Sequence, residues 1–341
     1  MKRHMPWLLA VLLLVSGCLA GAGYQYQQFL QNPLQISQPG LVVLVEPGTS
    51  VRSVLQMLEQ KGVTRLDWRW RLFNRLRQVT IKAGEYELEP GMTPPALLDL
   101  LVSGKVLSYR FTIVEGWSLK QLIEELGRDP VLQHSVSTVA GLDGVAGFPA
   151  GNKEGWFLPE TYAFIRGDSD LHILKRAYDS MQENLERVWA GRDTGLPYET
   201  PYELLIMASI IEKETSLESE RSEIAGVFVR RLLNRWRLET DPTVIYGMGN
   251  TYQGNIRRQD LKQDTPYNTY TRHGLPPTPI ALAGLASLQA AAHPAEGDAM
   301  FFVADGKGGH TFSITLDEHN KAVRQLIRKT KEESNAPESG Q

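Results

Sequence analysis

The chain has 341 residues, of which 42% are hydrophobic and 22% are charged, a composition typical of a globular protein. Its 36 basic and 39 acidic residues leave a net charge of −3, which gives no indication of nucleic-acid binding. The single cysteine, Cys18, excludes an intramolecular disulfide framework and a cysteine-based metal cluster.

The N-terminus predicts a membrane anchor. Residues 6–23 carry no charge, and as a helix they would be roughly 27 Å long, close to the hydrocarbon thickness of a bilayer. Lys2 and Arg3 precede this segment, and such a basic flank predicts a cytoplasmic N-terminus with everything downstream exported. We therefore expect a short cytoplasmic tail at residues 1–4 and an uncleaved transmembrane anchor at residues 5–26.

Two alternatives share this apolar segment. It could be a cleaved signal peptide, and the stretch "VSGC" that ends at Cys18 resembles a lipoprotein processing box. The apolar run continues past Cys18, however, which a lipidated N-terminus would not need, so the anchor is favoured. All three interpretations export the bulk of the protein.

The next three segments share one pattern, in which an alternating strand leads through a glycine turn to a capping hydroxyl and an amphipathic helix. A basic helix is predicted between the first and second of them, at residues 68–77. The first two segments together predict a small exported β-α module at residues 40–108. The capping residues are Thr49 or Ser50, Thr93 (with Pro94 in the first helical turn) and Ser118.

From about residue 109 to residue 330 the pattern predicts a larger α+β domain. A turn-rich stretch at residues 238–279 predicts an open, loop-rich groove, because long loops in compact domains usually serve a function. No histidine pair has the spacing of a zinc helix, and we expect neither a metal nor a cofactor. Predicted elements are helices near 171–188, 204–215, 223–236 and 316–329, a hairpin at 301–314, and a disordered tail at 331–341.

Two glutamates, Glu212 and Glu214, end the apolar helix at residues 204–215. At 100° per residue both fall at the margin of its buried face, so periodicity does not distinguish them. Small neighbours leave room for a ligand beside Glu212, whereas Glu214 has Arg221 within reach and is expected to form a structural ion pair. A carboxyl at the edge of an apolar helix can act as a general acid, although a solvated structural carboxylate is the more common case.

Six motifs occur in the order that one family shows. They are "EGWFLPETY" at residues 154–162, "ASIIEKET" at 208–215, "LETDPTVIYGMG" at 238–249, "PYNTY" with "GLPP", "AAHPA", and "FVADGKGGHTF". Together with the N-terminal segment they strongly resemble the YceG-like (MltG) family, the endolytic murein transglycosylases of the bacterial inner membrane. The similarity covers nearly the whole exported chain.

The resemblance implies a LysM-like module at residues 40–108 and a YceG-like catalytic domain at residues 109–330, facing the periplasm. It implies a cofactor-free lyase that cleaves the MurNAc–GlcNAc β-1,4 bond inside peptidoglycan strands, leaves 1,6-anhydro-MurNAc ends and limits the length of nascent strands. The family's catalytic glutamate is the first acid of the E-K-E-T motif, here Glu212. The expected partners are peptidoglycan strands, the inner membrane and peptidoglycan synthases (penicillin-binding proteins).

Polar and aromatic side chains in and after the turn-rich stretch are candidates for substrate binding, since sugars are bound by carboxylates, amides and aromatic faces. A non-catalytic peptidoglycan-binding scaffold is the alternative function. Such a scaffold would keep the anchor and the β-α module but would not need "ASIIEKET" intact. Hydrolysis also stays open, with Asp241, Glu160 or Glu214 as a second carboxylate. The substrate-site candidates are Asp241, Tyr246, Tyr267, Asn268, Tyr270 and His310.

Overall fold

The computed structural model describes residues 5–335, with side chains described for residues 7–329. The predicted cytoplasmic tail at residues 1–4 and the last six residues of the predicted C-terminal tail lie outside this range. The structure is a mixed α+β fold, as the sequence predicts, and it divides into two compact units. Unit 1 contains the described residues up to 109 together with 163–168, and unit 2 contains residues 110–162 and those from 169 onward.

Unit 1 is built around a two-stranded antiparallel sheet in which Val43 pairs with Tyr86. Ser50 and Thr93 cap the second and fourth helices through side-chain hydrogen bonds, as predicted, because each hydroxyl accepts from a free backbone amide of the first turn. The LysM-like assignment stays a prediction. The elements of unit 1 are α1 (Met5–Gln31), β1 (Leu41–Val45), α2 (Val51–Gln60), α3 (Trp68–Arg77), β2 (Gly84–Leu88) and α4 (Pro94–Ser103).

Helix α1 runs without interruption from the apolar segment into the core of unit 1. Within the described residues it is the one helix long and apolar enough to cross a membrane, over Trp7–Gln31. Near its end, Phe29 packs edge-on against Trp70 and Phe73, with ring centroids 5.1 and 6.2 Å apart. The predicted apolar helix is therefore present, and its orientation in a membrane stays a prediction.

Unit 2 is organised around helix α7, whose residues 204–211 are all buried. Helices α6, α8 and α10 pack around α7, and β5 and β6 form the predicted hairpin. Strands β3 and β4 pair with each other, and the chain passes between the two units within both strands. The elements that lie wholly or partly in unit 2 are β3 (Ser108–Thr112), α5 (Leu119–Leu126), β4 (Thr161–Ile165), α6 (Asp170–Gly191), α7 (Pro201–Glu214), α8 (Glu218–Leu233), α9 (Asp241–Met248), α10 (Leu285–Ala292), β5 (Phe301–Ala304), β6 (His310–Ser313) and α11 (Leu316–Asn335).

The largest differences from the sequence-based prediction in unit 2 are two boundaries and one unpredicted helix. Helix α8 begins at Glu218, about five residues earlier than expected. Its start has no side-chain cap, so no capping residue in the sequence marks it. The turn-rich stretch opens with a helix, α9, since Asp241 and Pro242 are turn formers that also suit a first helical turn. Helix α11 continues to Asn335, past the predicted end near residue 329.

Candidate active site

The C-terminal end of α7 opens into a cavity with several carboxyl groups. The helix stops where Thr215 adopts an extended backbone with φ −145°, so the residues before it lie at a helix end. The cavity has a volume of about 390 Å³. We call it the glutamate cavity, and its lining includes Glu115, Gly116, Glu212, Lys213, Glu214 and Arg221.

Hydrogen bonds hold the Glu212 carboxyl through one of its two oxygens. Its side chain is only 4% exposed, and its Oε2 atom accepts hydrogen bonds from the Gly284 amide at 3.0 Å and the Ser287 hydroxyl at 2.8 Å. Both donors lie at the N-terminus of α10, where backbone amides and the helix dipole favour a negative group. Among the described residues, the polar contact of Oε1 is with the Nη2 atom of Arg221, at 3.5 Å. Oε2 therefore orients the group, and Oε1 is the oxygen left for a ligand.

The loop that carries Gly284 is fixed by backbone hydrogen bonds. The Ile280 amide donates to the Ser209 hydroxyl on α7 at 3.0 Å. The Leu282 amide donates to the Trp117 carbonyl at 2.7 Å, and the Leu282 carbonyl accepts from the Gly116 amide at 2.9 Å. Because the loop joins α7 to the segment before α5, these bonds set the position of Glu115 relative to Glu212.

Glu115 is the second carboxyl of this cluster. Its side chain is 47% exposed, and its Oε2 atom lies 3.5 Å from Arg221 Nη2, the nitrogen that also contacts Glu212. Burial raises the pKa of Glu115, the nearby charge of Glu212 raises it further, and Arg221 acts in the opposite direction. Two carboxylates beside one guanidinium leave one excess negative charge, which favours the protonated form of Glu115.

Arg221 is a buried cation with unused hydrogen-bonding capacity. The residue is 8% exposed, and its Nε–H group has no acceptor among the described residues. Its contacts to Glu115 and Glu212, at 3.5 Å, are longer than ordinary charged hydrogen bonds. The prediction of an ion pair between Arg221 and Glu214 is wrong. Helix α7 ends at Glu214, and the new helix α8 directs Arg221 toward Glu115 and Glu212 instead.

Glu214 lines the same cavity and is a second candidate acid. Its carboxyl accepts a hydrogen bond from the Thr240 hydroxyl. Burial raises the pKa of Glu214 to about 7, and the negative charge of Asp241 adds to this shift. A substantial fraction of Glu214 is therefore protonated at neutral pH, which makes it a chemical rival of Glu212.

Two of the six predicted substrate residues lie beside Glu214. Asp241 begins α9, and its Oδ1 atom accepts a hydrogen bond from the Tyr270 hydroxyl at 2.6 Å. Burial raises the pKa of Tyr270, and the Asp241 charge raises it further, so the phenol remains a donor at physiological pH. This pair extends the polar surface from the end of α7 onto α9.

Tyr246 and Tyr267 lie instead at or near a second, larger cleft of about 1000 Å³. Tyr246 lines that cleft and donates to Glu154 Oε2 at 3.1 Å, while its ring packs edge-on against Tyr267 at 4.9 Å. Glu154 is buried and also accepts from the Leu119 amide at 2.7 Å. Burial raises the pKa of Glu154 to about 7. We call this the α5–α9 cleft.

Asn268 and His310 are engaged in contacts that hold the chain together. The buried Asn268 amide nitrogen donates to the carbonyls of Asp260, Leu261 and Gln263, which fixes the loop around it. The Nδ1 atom of His310 lies 2.7 Å from Glu220, so it fastens the β5–β6 hairpin to α8. These contacts indicate structural roles for both residues.

Sequence reasoning missed four members of the cluster around Glu212: Glu115, Arg221, Gly284 and Ser287. The sequence did not distinguish Glu115, because the turns of the first two repeated strand-to-helix segments also contain an acid. Ser287 offered a weak signal, because it is the one hydroxyl in the alanine-rich helix α10. The other two are recognisable only from the tertiary contacts.

Comparison with known proteins places the chain among relatives of one kind. The YceG-like family model matches residues 43–325. The endolytic murein transglycosylase of Bacillus subtilis (strain 168) is 30% identical over 331 residues, which cover 91% of each chain. That of Streptococcus pneumoniae (serotype 2, strain D39) is 26% identical, over 94% of this chain and 65% of its own length. A crystal structure of a YceG-like protein from Listeria monocytogenes matches with a TM-score of 0.50 and 28% identity, over 84% of this chain and 99% of that one.

Proposed function

The chain belongs to the YceG-like family, and from this premise we propose that it is an endolytic murein transglycosylase with Glu212 as its catalytic acid. Its substrate would be the glycan strand of peptidoglycan, cut at the MurNAc–GlcNAc β-1,4 bond. The observation that carries the proposal is the Glu212 carboxyl, which two donors orient through Oε2 while Oε1 remains available in the glutamate cavity.

The proposed reaction needs one acid and no water. Protonated Glu212 gives its proton from Oε1 to the glycosidic oxygen, and the bond from that oxygen to C1 of MurNAc breaks. The resulting carboxylate then takes the proton of the C6 hydroxyl, whose oxygen closes on C1 to form the 1,6-anhydro ring. Since the same group acts first as acid and then as base, a second carboxylate acting on water is not required.

Glu115 and Arg221 would support these two steps electrostatically. Glu115 keeps a proton to higher pH than an isolated carboxyl would, because burial and the charge of Glu212 raise its pKa. After proton donation Arg221, 3.5 Å from Glu212 Oε1, stabilises the carboxylate in a nearly solvent-free position. Glu115 thus keeps a proton near Glu212, and Arg221 stabilises the carboxylate that Glu212 becomes after it donates its own proton.

An endolytic enzyme needs room for the strand on both sides of the cut bond. A cleft of about 510 Å³ shares Arg221 with the glutamate cavity. The α5–α9 cleft begins at Ser118, two residues after Gly116 of the cavity lining. One cleft that adjoins the glutamate cavity, and a second that begins two residues along the chain from it, leave room for a strand and support cleavage inside the strand rather than from its end.

The same proposal places the protein at the inner membrane, anchored by α1 with unit 2 in the periplasm. The long apolar helix over Trp7–Gln31 and the basic residues Lys2 and Arg3 before it support this orientation. At this location the enzyme would act on nascent strands made by peptidoglycan synthases and limit their length.

Substitution of the two acids of α7 tests the assignment. We expect Glu212→Gln, in the full chain in detergent, to bind purified glycan strands and to lose cleavage by roughly 10²- to 10⁴-fold, the usual contribution of a general acid. Glu214→Gln should retain activity within about tenfold, because it would act on Glu212 only through space. Loss of cleavage in Glu214→Gln alone would make Glu214 the acid. Full cleavage by both variants would exclude both acids of α7 from the chemistry, and a wild-type chain that binds strands without cutting them would be a binding scaffold.

A further inference from the structure

Helix α3 has two apolar faces, and the described part of the chain buries one of them. Trp70 and Phe73 lie in the core of unit 1. Trp68, Leu72 and Leu76 follow one another at intervals of four residues, so they form one stripe along the helix, and they are 42%, 37% and 67% exposed. We call this the α3 stripe. Single exposed apolar side chains are common, whereas a row of three on one helix indicates a contact surface.

Helix α3 is also strongly basic. It has four arginines and no acid in its ten residues. Two of the arginines pair with aspartates. The other two, Arg71 and Arg75, are exposed beside the α3 stripe and have no carboxylate partner among the described residues. Exposed guanidinium groups next to an apolar row are typical of a helix that lies in the interface of an anionic membrane.

The anchor helix α1 brings α3 close to the bilayer. Tyr26 is the last residue of the predicted anchor, and it already packs against the core that contains Trp70 and Phe73. One turn later, Phe29 contacts both of these rings. Phe29 follows the end of the uncharged segment, Gly23, by six residues of uninterrupted helix, roughly 9 Å. The headgroup layer is about 5–8 Å thick, so an anchored α1 places α3 at its outer edge.

The C-terminal end of α3 is the end nearer the membrane. Arg69, in the first turn of α3, lies over the Phe29 ring, with its guanidinium carbon 5.4 Å from the ring centroid. Arg77, the last residue of α3, is within electrostatic range of Tyr26, which is one turn of α1 closer to the membrane than Phe29. Leu76 precedes Arg77 and is the most exposed member of the α3 stripe. Leu76 is therefore the member of the stripe nearest the headgroups.

We propose that the α3 stripe inserts into the periplasmic leaflet of the membrane that α1 spans, with Arg71 and Arg75 against the phosphates of anionic phospholipids. The inference rests on the proposed function, because α1 has to anchor the chain with unit 1 beside the bilayer. The stripe then lies at headgroup depth, where aromatic and arginine side chains are favoured. This contact attaches unit 1 to the bilayer at a second point, so that unit 1 does not pivot freely about α1.

Depth measurements on the full chain in lipid nanodiscs test the inference. Cys18→Ser removes the single cysteine, and Leu76→Cys, Leu72→Cys or Gln56→Cys then carries one fluorescent label. The nanodiscs contain phosphatidylcholine and phosphatidylglycerol, with a lipid whose nitroxide quencher lies just below the headgroup. Because an interfacial helix buries its apolar face about 5–10 Å deep, lipid quenching should be at least about threefold stronger for Leu76→Cys than for Gln56→Cys, an exposed position of α2. Leu72→Cys should give an intermediate value, and all three labelled chains should melt at the wild-type temperature.

Replacement of the two exposed arginines tests the part played by lipid charge. Arg71→Gln combined with Arg75→Gln should reduce lipid quenching of the Leu76→Cys label at least about twofold, because the attraction to anionic phosphates is lost. Nanodiscs of phosphatidylcholine alone should reduce the quenching of the parent in the same way. Arg52→Gln changes an exposed arginine of α2 and is the matched control, which should leave the quenching unchanged.

Three outcomes would overturn the inference. If iodide in the water quenches the Leu76→Cys label as strongly as the Gln56→Cys label, the α3 stripe lies in water. If neither iodide nor the lipid quenches the Leu76→Cys label, the protein itself covers the stripe. Equal lipid quenching of the Leu76→Cys and Gln56→Cys labels would mean that the membrane does not select α3.

Failure of the proposed function gives different results from failure of this inference. Without the anchor, the unlabelled wild-type chain would not co-elute with the nanodiscs. Without the proposed activity, the same chain would not cut glycan strands, whatever the depth of α3.

Discussion

The Glu115 carboxyl packs directly on the Cα atom of Gly284: a Cβ atom added there would lie 1.9 Å from Glu115 Oε1 and 2.6 Å from its Cδ. The amide of the same glycine donates to Glu212 Oε2 at 3.0 Å. A single residue without a side chain therefore sets the spacing of the two carboxyls that flank Arg221.

Gly284→Ala should displace Glu115 without disrupting the fold. The backbone of Gly284 has φ −76°, which alanine adopts without strain, and the half-exposed Glu115 side chain is free to swing outward. We expect cleavage to fall roughly 10- to 100-fold, a loss typical of a misplaced catalytic group, with little change in melting temperature. Gly127→Ala is the matched control, since its new Cβ would meet nothing closer than 3.4 Å. Equal activity of the two variants would mean that the position of Glu115 is unimportant.

Glu115→Gln should change the pH dependence of the reaction more than substrate binding. Burial and the charge of Glu212 raise the pKa of Glu115, so the cluster retains its proton to higher pH than an isolated carboxyl would. The amide cannot hold that proton. We therefore expect the alkaline limb of the kcat profile to move to lower pH by about one unit, with KM nearly unchanged. Superimposable profiles would remove Glu115 from the mechanism.

The helices of this protein were largely predictable, because their signals are local. Ser50, Thr93 and Ser118 each cap a helix through a bond to an amide three residues away, which a sequence pattern contains in full. The basic helix α3 and the β5–β6 hairpin likewise depend on neighbouring residues. The start of α8 lacks a side-chain cap and was misplaced for that reason.

The glutamate cavity was only partly predictable, because its contacts join distant parts of the chain. Periodicity brought Glu212 and Glu214 to the margin of α7 but could not choose between them, and the choice of Glu212 came from the family motif. Arg221 reaches Glu115 across 106 positions of sequence. Its assignment to Glu214 depended on their nearness in sequence, whereas the extended backbone at Thr215 and the new helix α8 direct Arg221 toward Glu115 and Glu212.

Glu154 should make unit 2 less stable as the pH rises. Burial raises its pKa from 4.5 to about 7 in the folded chain, so the folded state binds the proton more tightly than the unfolded state. The stabilisation is present below pH 4.5 and is lost by about pH 7, a change of about 3 kcal/mol in the free energy of unfolding. Glu154→Gln should flatten the decrease in melting temperature between pH 5 and pH 8, measured by calorimetry.

Part of that pH dependence should remain in Glu154→Gln, because Glu214 has a pKa raised in the same direction. Glu186→Gln, which changes an exposed acid of α6, should follow the wild-type curve. A wild-type slope in Glu154→Gln would show that Glu154 ionises in the folded chain as readily as in the unfolded one.

Cys18→Ser should leave the protein in the membrane fraction at its wild-type level. We expect an uncleaved anchor, in which Cys18 is an exposed residue of the apolar helix α1 and carries no lipid. Intact-mass measurement should give the full-length chain for both wild type and variant. A mature chain that begins at a lipid-modified Cys18, or a variant released from the membrane, would identify a lipoprotein instead.

The central claim is that Glu212 cuts the strand without water, and the mass of the new ends tests it most directly. Full-length protein in detergent is incubated with purified glycan strands, and the products are analysed by mass spectrometry beside those of Glu212→Gln. We predict internal cleavage to fragments that end in 1,6-anhydro-MurNAc, each lighter by one water molecule than a hydrolysed fragment, and roughly 10²- to 10⁴-fold fewer of these from Glu212→Gln. Fragments with reducing MurNAc ends as the main wild-type product would contradict the claim, because a second carboxylate would then have to activate water.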